Sequence, residues 1–183
     1  MSVANFAPEF RTPEFVAALK ELIKSSKYLY RDANLNRDEL VQYQVGAMFR
    51  EATVFDCTAR LGGIVGGTRF VVVSSAPRSL SSLSERSEWG LAILGANELF
   101  KVIDVQVLQD KTQITLAHVP AAFEAYFRSS DSWLFDKWTV PQAQQDLHAA
   151  VGMPTIAAHV EEDWRRRIER PPGMNAERRL IPA

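Results

Sequence analysis

A chain of 183 residues with 46% apolar and 23% charged side chains has the composition of an ordinary globular protein and the length to bury roughly 70% of its unfolded surface in one domain. Basic and acidic residues number 21 and 22 and balance in every third of the chain, with 8 and 8 over residues 1–60, 5 and 5 over 61–120, and 8 and 9 over 121–183. No stretch therefore has the basic footprint of a nucleic-acid binder, and no nucleic-acid partner is expected. No apolar run approaches the ~18 residues of a membrane span, so no membrane association is expected. The opening MSVANFAPEFRTPEF does not read as a secretory leader, and Cys57 as the one cysteine suits a reducing, cytoplasmic setting.

Residues 1–11 read as an irregular arm. Thr12-Pro13-Glu14 is a helix start, with a capping hydroxyl, a first-turn proline and an acid at the positive end. Phe15, Val16, Leu19, Leu22 and Ile23 follow at helical spacing, so a first helix is predicted to about Ser25. Tyr28, Leu29 and Tyr30 fall in the connection after it. Asn34 or Asn36 caps a second predicted helix running through Leu40, Val41, Val45, Met48 and Phe49, which Gly46 weakens.

From Thr53 the period changes to two. Phe55, Cys57, Ala59 and Leu61 alternate with Asp56, Thr58 and Arg60, as in a half-buried strand. Gly62, Gly63, Gly66 and Gly67 interrupt it. Phe70 to Val73 is apolar on both faces and reads as a central strand. Ala76 to Ser87 is a serine-rich loop long enough for a functional role. Trp89 to Leu94 is a short strand, and Gly95-Ala96-Asn97 turns it into the next element.

That element, Phe100 to Val119, organises the reading. Its β-branched residues suit a pleated surface, and two alternating runs flank Gln109-Asp110-Lys111-Thr112. With Asp110-Lys111 as the turn, Val107 faces Ile114, Val105 faces Leu116 and Ile103 faces His118, while Gln106 faces Thr115 and Asp104 faces Ala117. Val105 is then an interior residue. Asp56, Thr58, Arg60, Asp104, Gln106 and Thr115 line the polar face of the sheet. Beyond it, Pro120 to Phe127 is helical, Pro141 starts a helix ending near Gly152, and Pro154 starts a last one. There Ile156, Val160, Trp164 and Ile168 form an apolar stripe, opposite the pairs Glu161–Arg165, Glu162–Arg166 and Asp163–Arg167.

The chemistry-bearing motifs are thin. Gly62 to Arg69 has the outer glycine spacing of a phosphate loop, but Thr68-Arg69 stands where Lys-Ser/Thr is needed. The loop also lies between strands, not before a helix, and a turn or bulge is the better reading. Cys57 as nucleophile with His118 and Asp104 or Asp56 is disfavoured, because the pleat separates them and the thiol sits among apolar neighbours. His118, His148 and His159 show no metal-ligand spacing, and no cofactor is expected. Trp133-Leu134-Phe135-Asp136-Lys137-Trp138 is a dense aromatic segment, read either as cover for the core or as a partner surface.

The sequence thus predicts one α+β domain over residues 1–170 and a C-terminal arm over 171–183, with Leu180 and Ile181 as its anchors. An antiparallel meander of about five strands over residues 52–119 is flanked by N- and C-terminal helices. The leading functional expectation is a non-enzymatic binding or assembly protein that pairs with itself as a homodimer or with another protein. The candidate surface comprises Arg60, Asp104, Gln106, Trp133, Phe135 and Trp138. The alternative is an enzyme or small-ligand binder using the polar sheet face and the Gly62–Gly67 loop, with a deep cleft joining Arg60, Asp104 and the glycine loop as its mark, whereas a flat apolar patch would mark the leading expectation. A nucleic-acid role comes third and requires Arg165, Arg166, Arg167, Arg178 and Arg179 to converge.

Overall fold

The computed structural model describes residues 7–80 and 86–183. The chain is α+β, with helices before and after a mostly antiparallel sheet. Helix α1 (Pro13–Ser25) starts where the Thr12 hydroxyl oxygen accepts from the Phe15 amide at 3.2 Å, and it buries Leu19 and Leu22. Then come β1 (Lys27–Ala33), α2 (Arg37–Leu40), β2 (Met48–Glu51), β3 (Phe55–Thr58), β4 (Thr68–Ser74), β5 (Arg78–Ser79), β6 (Leu91–Leu94), β7 (Glu98–Leu108) and β8 (Lys111–Val119). Short α3 (Glu124–Arg128), long α4 (Trp133–Gly152), α5 (Ala157–Val160) and α6 (Glu162–Arg167) complete the chain.

The sheet has eight strands in the order β2-β7-β8-β4-β1-β3-β6-β5, which corrects the expectation of a meander of about five. Two strands come from stretches read otherwise. Tyr28 to Tyr30 lie in β1, paired with both β3 and β4, because both faces of KYLYRDA are covered and its pattern does not alternate. The predicted second helix stops at Leu40, although Asn36 and Glu39 close a capping box. Gly46 takes φ +92° and Met48–Glu51 pairs with β7 instead. One pair, β4 with β8, is parallel, and its connection runs through strands β5 to β7. Part of the serine-rich loop, residues 81–85, lies outside the described residues.

The hairpin turns one residue earlier than expected, which moves each cross-strand partner by two: Val107 faces Thr112 and Val105 faces Ile114. Leu108 faces Lys111, so Gln109-Asp110 make the turn, with Gln109 at φ +56°. Pairing then shifts between Val102↔Leu116 and Asp104↔Thr115, which leaves Ile103 as an extra residue in a bulge. The bulge reverses the alternation. Val102 packs in the main core and Ile103 on the helix side. Beyond it, Asp104 meets Gln144 of α4, while Val105 and Val107 are 39% and 67% exposed. The expectation of an interior Val105 is therefore corrected.

The main core shows how strongly the sheet curls. Neighbouring strands lie about 4.8 Å apart, and β3 is four places from β7. Yet the Phe55 and Phe100 rings approach to 5.4 Å, which a flat sheet forbids. Phe49, Phe70 and Phe100 fill the concave side, with Met174 of the C-terminal arm. On the other side α1, α3 and α4 cover Val73, Ile103 and Ala117. Helix α4 begins at Trp133 and continues through Pro141, where the carbonyl left without an amide belongs to exposed Lys137. The last predicted helix is broken at Glu161, which is extended (ψ 147°). Of its three expected ion pairs only Glu162–Arg166 forms, at 2.6 Å. Among the described residues no helix is long and apolar enough to cross a membrane.

Val105→Asp is expected to cost little, because its carboxylate reaches water. Val102→Asp places a charge at a site with 0% exposure and is expected to lower the melting temperature by more than about 10 °C, or to abolish folding. Thermal melts of the two variants side by side check the bulge. Equal losses would contradict it.

Candidate functional site

The concave side of the fold opens beside β1. Residue pairs along KYLYRDA divide by the pleat: Tyr30 faces α4, where its hydroxyl donates to Asp146 at 2.7 Å, and Arg31 faces the other way, over the Phe55 ring at 4.8 Å. Arg31 is 6% exposed. One Nη donates to the Asp56 carbonyl at 3.1 Å and the other to the Arg170 carbonyl. Its Nε has no hydrogen-bond partner. Burial pushes this guanidinium below its ordinary value.

Beside Arg31 the structure has two neighbouring hollows, lobes of about 300 and 440 Å³, which share Glu169 and Arg178 as lining residues; Arg31 lines the larger. The smaller lobe is lined by Asp32, Asn34, Val65, His159 and Ile168 among others. The larger is lined by five arginines (Arg31, Arg166, Arg167, Arg170, Arg178) against two glutamates, Glu51 and Glu169. Volumes of this size suit a small molecule. The arginines come from β1, α6, the link after it (Arg170) and the arm, and partners on other elements hold three of them. Arg167 meets Asp56 at 3.3 Å, Arg170 meets Glu51 at 2.5 Å and Arg178 meets Glu39.

The arm supplies the outer wall. Glu51 Oε2 accepts from the Gly173 amide at 2.7 Å, and the Tyr43 hydroxyl donates to the Pro172 carbonyl at 2.6 Å. Gln42 Oε1 accepts from the Leu180 amide at 2.8 Å. The floor of the smaller lobe is equally fixed. Asp32 holds Arg69 through both oxygens, at 2.7 and 2.9 Å. His159 donates from Nε2 to the Trp89 carbonyl at 3.0 Å and stacks on Trp164 at 5.0 Å. Burial depresses its basicity, which favours the neutral ring.

The glycine loop borders this cleft but does not form an anion cradle. The amides of Gly63, Val65 and Gly67 already donate to Pro154, Asp32 and Asn34. Arg69 in turn donates to the carbonyls of Gly62 and Gly63, at 2.7 and 3.2 Å. Side chains at Gly62 and Gly63 would collide with Ile156 and with the Met153 carbonyl. These glycines permit close packing against the segment that leads to α5.

The residues singled out from sequence are dispersed. Arg60 is exposed and donates to the Glu88 carbonyl at 2.5 Å. Asp104 accepts from Gln144 at 3.2 Å, and the Gln106 Oε1 is buried without a partner. Phe135 is buried at 1% exposure and Trp133 packs beside it, whereas Trp138 is 65% exposed. Arg165, Arg166, Arg167 and Arg178 do converge, around a concave volume. Sequence reading missed Arg31, Glu51, Glu169 and Arg170. The one available signal was an arginine inside the aromatic strand KYLYRDA.

Cys57 is buried and donates to the Ala92 carbonyl at 3.4 Å, and burial pushes its thiol up to about 12. His118 instead lies between Ser74 at 2.8 Å and Glu98 at 3.0 Å. Among the described residues no group of acids, histidines or cysteines is arranged to hold a metal.

No protein-family model and no curated protein matches the chain. Solved structures do. One is the ADP-ribosyltransferase HopU1 of Pseudomonas syringae pv. Tomato DC3000, at 15% identity and TM-score 0.46, over 51% of this chain and 46% of that one. Another is exoenzyme S of Pseudomonas aeruginosa, in a complex with human 14-3-3 protein beta bound to Carba-NAD, at 14% identity and TM-score 0.47, over 65% and 61%. A third is C3stau2 of S. aureus with NAD, at 12% identity and TM-score 0.44, over 60% and 73%. The match spans about half the length of the effectors XopAI and HopU1. The expectation of a non-enzymatic binding or assembly module, and the leaning away from an enzyme, are corrected here. The finding against them is that similar solved structures include one described as an ADP-ribosyltransferase, which is closer to the alternative reading; the cleft borders the glycine loop at Val65, but Arg60 and Asp104, which that reading joined to it, are not among its lining residues.

Two expectations follow. At pH 8 a thiol reagent should label Cys57 in the native protein on the order of a hundredfold more slowly than in the unfolded chain; equal rates would contradict its burial. Asp136 is lifted to about 6 from 3.8, first by burial, with Lys101 opposing. The folded state therefore holds a proton that the unfolded state has lost between those values, so ionisation of Asp136 lowers stability as pH rises through that window. Asp136→Asn should raise the melting temperature by about 2–4 °C at pH 7.5 and leave it unchanged near pH 3. Melts at both pH values check this.

Proposed function

We propose that this chain is an enzyme that holds a phosphate-bearing small molecule of the dinucleotide class in the Arg31 cleft and acts on it there. The observation that carries the reading is Arg31 itself. It is a buried cation whose hydrogen-bond partners among the described residues are two backbone carbonyls, and one of its nitrogens has none. Glu51 and Asp56 act on it from a distance, but it has no ion pair in contact among the described residues; a buried charge so placed is costly, and a guanidinium fork matches phosphate oxygens in geometry and charge. The four further arginines of the larger lobe suit a diphosphate better than a single phosphate. Val65 and Ile168 in the smaller lobe give a ring system an apolar wall.

Among the similar structures HopU1 is described as an ADP-ribosyltransferase, C3stau2 with NAD and exoenzyme S in a complex bound to Carba-NAD. NAD joins a diphosphate to two ribose–ring units, so ADP-ribosyl transfer from NAD is the reaction we propose to test first. A cytoplasmic site of action, suited to the reduced Cys57, is part of the proposal.

Calorimetric titration with NAD and with inorganic pyrophosphate tests the site. Arg31→Ala should weaken both by about 10- to 100-fold, the loss expected for a charged hydrogen-bonding group. Arg31→Lys should recover only part, because the planar fork is gone. Binding to Arg31→Ala at the original strength, in a variant that still melts cooperatively, would overturn the reading. Release of nicotinamide from NAD monitors the reaction.

A further inference from the structure

We infer that Lys101 is a nucleophilic amine, and that the hollow it lines takes a small carbonyl compound bearing a carboxylate, held as an imine. The residues involved are separate from those of the Arg31 cleft, and the inference does not depend on that reading.

Lys101 leaves β7 opposite Met48 of the edge strand β2. A hollow of about 330 Å³ opens there, lined by Gly46, Met48, Lys101, Phe127 and Arg128 among others. The Lys101 Nζ donates to the Phe127 carbonyl at 2.7 Å and to the Ser132 hydroxyl oxygen at 2.6 Å. Phe127 and Ser132 are both buried, so these two bonds point inward and the third direction of the nitrogen faces the hollow. An ammonium has three N–H donors. When the proton in the third direction leaves, the lone pair takes its place and both hydrogen bonds remain. The nucleophile is aimed before any ligand arrives.

The other lysines lack this setting. Lys20, Lys24, Lys27 and Lys137 are exposed, and Lys111 is paired with Asp110 at 3.1 Å. Lys101 is partly buried, and among the described residues no carboxylate is in contact with it. Burial pushes its amine below the ordinary value, with Asp136 opposing from a distance. Lysines that form imines are activated by such desolvation. The same two bonds fasten β7 to the end of α3, whose last carbonyls lack helical partners. Fastening alone accounts for the bonds but gives the adjoining hollow no use.

Charge selects the ligand. The charged side chains lining the hollow are Lys101 and Arg128, both cationic. Arg128 holds Glu124 at 2.8 Å, and Arg50 meets the same glutamate at 3.6 Å, so two guanidiniums share one carboxylate. The surplus positive charge suits a ligand with a carboxylate of its own. In the reaction the Nζ lone pair adds to the carbonyl carbon and a C–N bond forms. The carbonyl oxygen then leaves as water with the two hydrogens of the amine, and nothing is oxidised. Once protonated, the imine keeps one N–H for the Phe127 and Ser132 acceptors.

The probe is glyoxylate, with propionaldehyde as its neutral counterpart. Cyanoborohydride supplies the hydride that fixes each imine as a secondary amine. The full chain is treated at pH 7 and labelling at every lysine is followed by peptide mass spectrometry. With glyoxylate, Lys101 should label about tenfold faster than Lys20, Lys24, Lys27 and Lys137. Its ratio of glyoxylate to propionaldehyde labelling should exceed theirs by about threefold, and Arg128→Ala should bring the ratio down to theirs. Lys101→Arg keeps the cation and should remove the fast site while the protein still melts cooperatively. Labelling of Lys101 no faster than that of the exposed lysines overturns the inference. A ratio equal to theirs overturns the choice of ligand. An advantage that persists in urea-unfolded chain overturns the role of the hollow, because local sequence alone would then explain it.

Discussion

The ion pair between Asp32 and Arg69 is the constraint from which the site's geometry follows. Their side chains are 9% and 3% exposed, so each charge has been removed from water and would be costly alone. The pair joins β1 to β4 across the register Asp32↔Arg69. Arg69 has donors to spare, and it spends them on the carbonyls of Gly62 and Gly63. Asp32 takes the Val65 amide as well. The glycine loop is thereby tied to the sheet at three points. Because Gly62 and Gly63 carry no side chain, Ile156 and the Met153 carbonyl sit directly on them. This contact positions the segment leading into α5 and α6, and so the wall that carries Glu169 and the arginines.

The charges of the cleft are divided between framework and opening. Glu39 and Glu51 have side chains only 5% and 4% exposed, while their partners Arg178 and Arg170 are 46% and 43% exposed. Negative charge is thus set in α2 and β2, and positive charge is presented to the cavity. Exposed ion pairs add little stability individually. Their effect here is directional, since each holds one edge of a guanidinium and leaves the other free. Arg31 departs from this pattern. Its neighbours within bonding reach are carbonyls, which offer partial charge only. On the proposed reading, that makes it the position that receives a ligand's charge.

The sequence showed local features well and long-range ones poorly. Thr12 and Pro13 marked the start of α1 because capping is a local act. The run Phe70 to Val73 announced a buried strand because every residue in it is apolar. The hairpin was visible, but its faces were not, since a single unpaired residue at Ile103 reverses the pattern and no local signal marks it. Strand β1 was overlooked because covering on both faces removes alternation. The cleft itself was illegible. Its residues come from positions near 31, 51, 65, 159, 170 and 178, and only the curl of the sheet and the return of the arm bring them together. Arg31 carried the one usable clue, a charge inside an aromatic strand.

On the proposed reading, the arm from Pro171 to Ala183 ties ligand binding to folding. It covers the exposed edge of β2, where Ala183 donates to Met48 at 3.2 Å and Phe49 bridges to Pro182, and an edge so covered cannot recruit another chain. It enters through Gly173, at φ +71°, where a side chain would lie 2.0 Å from the Phe49 ring. Glycine is the residue this passage admits. Beyond it, Met174 is 1% exposed in the main core, so the arm cannot leave without opening that core. Asn175 and Arg178 of the same arm line the larger lobe. A ligand in that lobe therefore binds the docked arm and not the undocked one. By mass action it must stabilise the arm's attachment, and whatever weakens that attachment must weaken the ligand by the same factor.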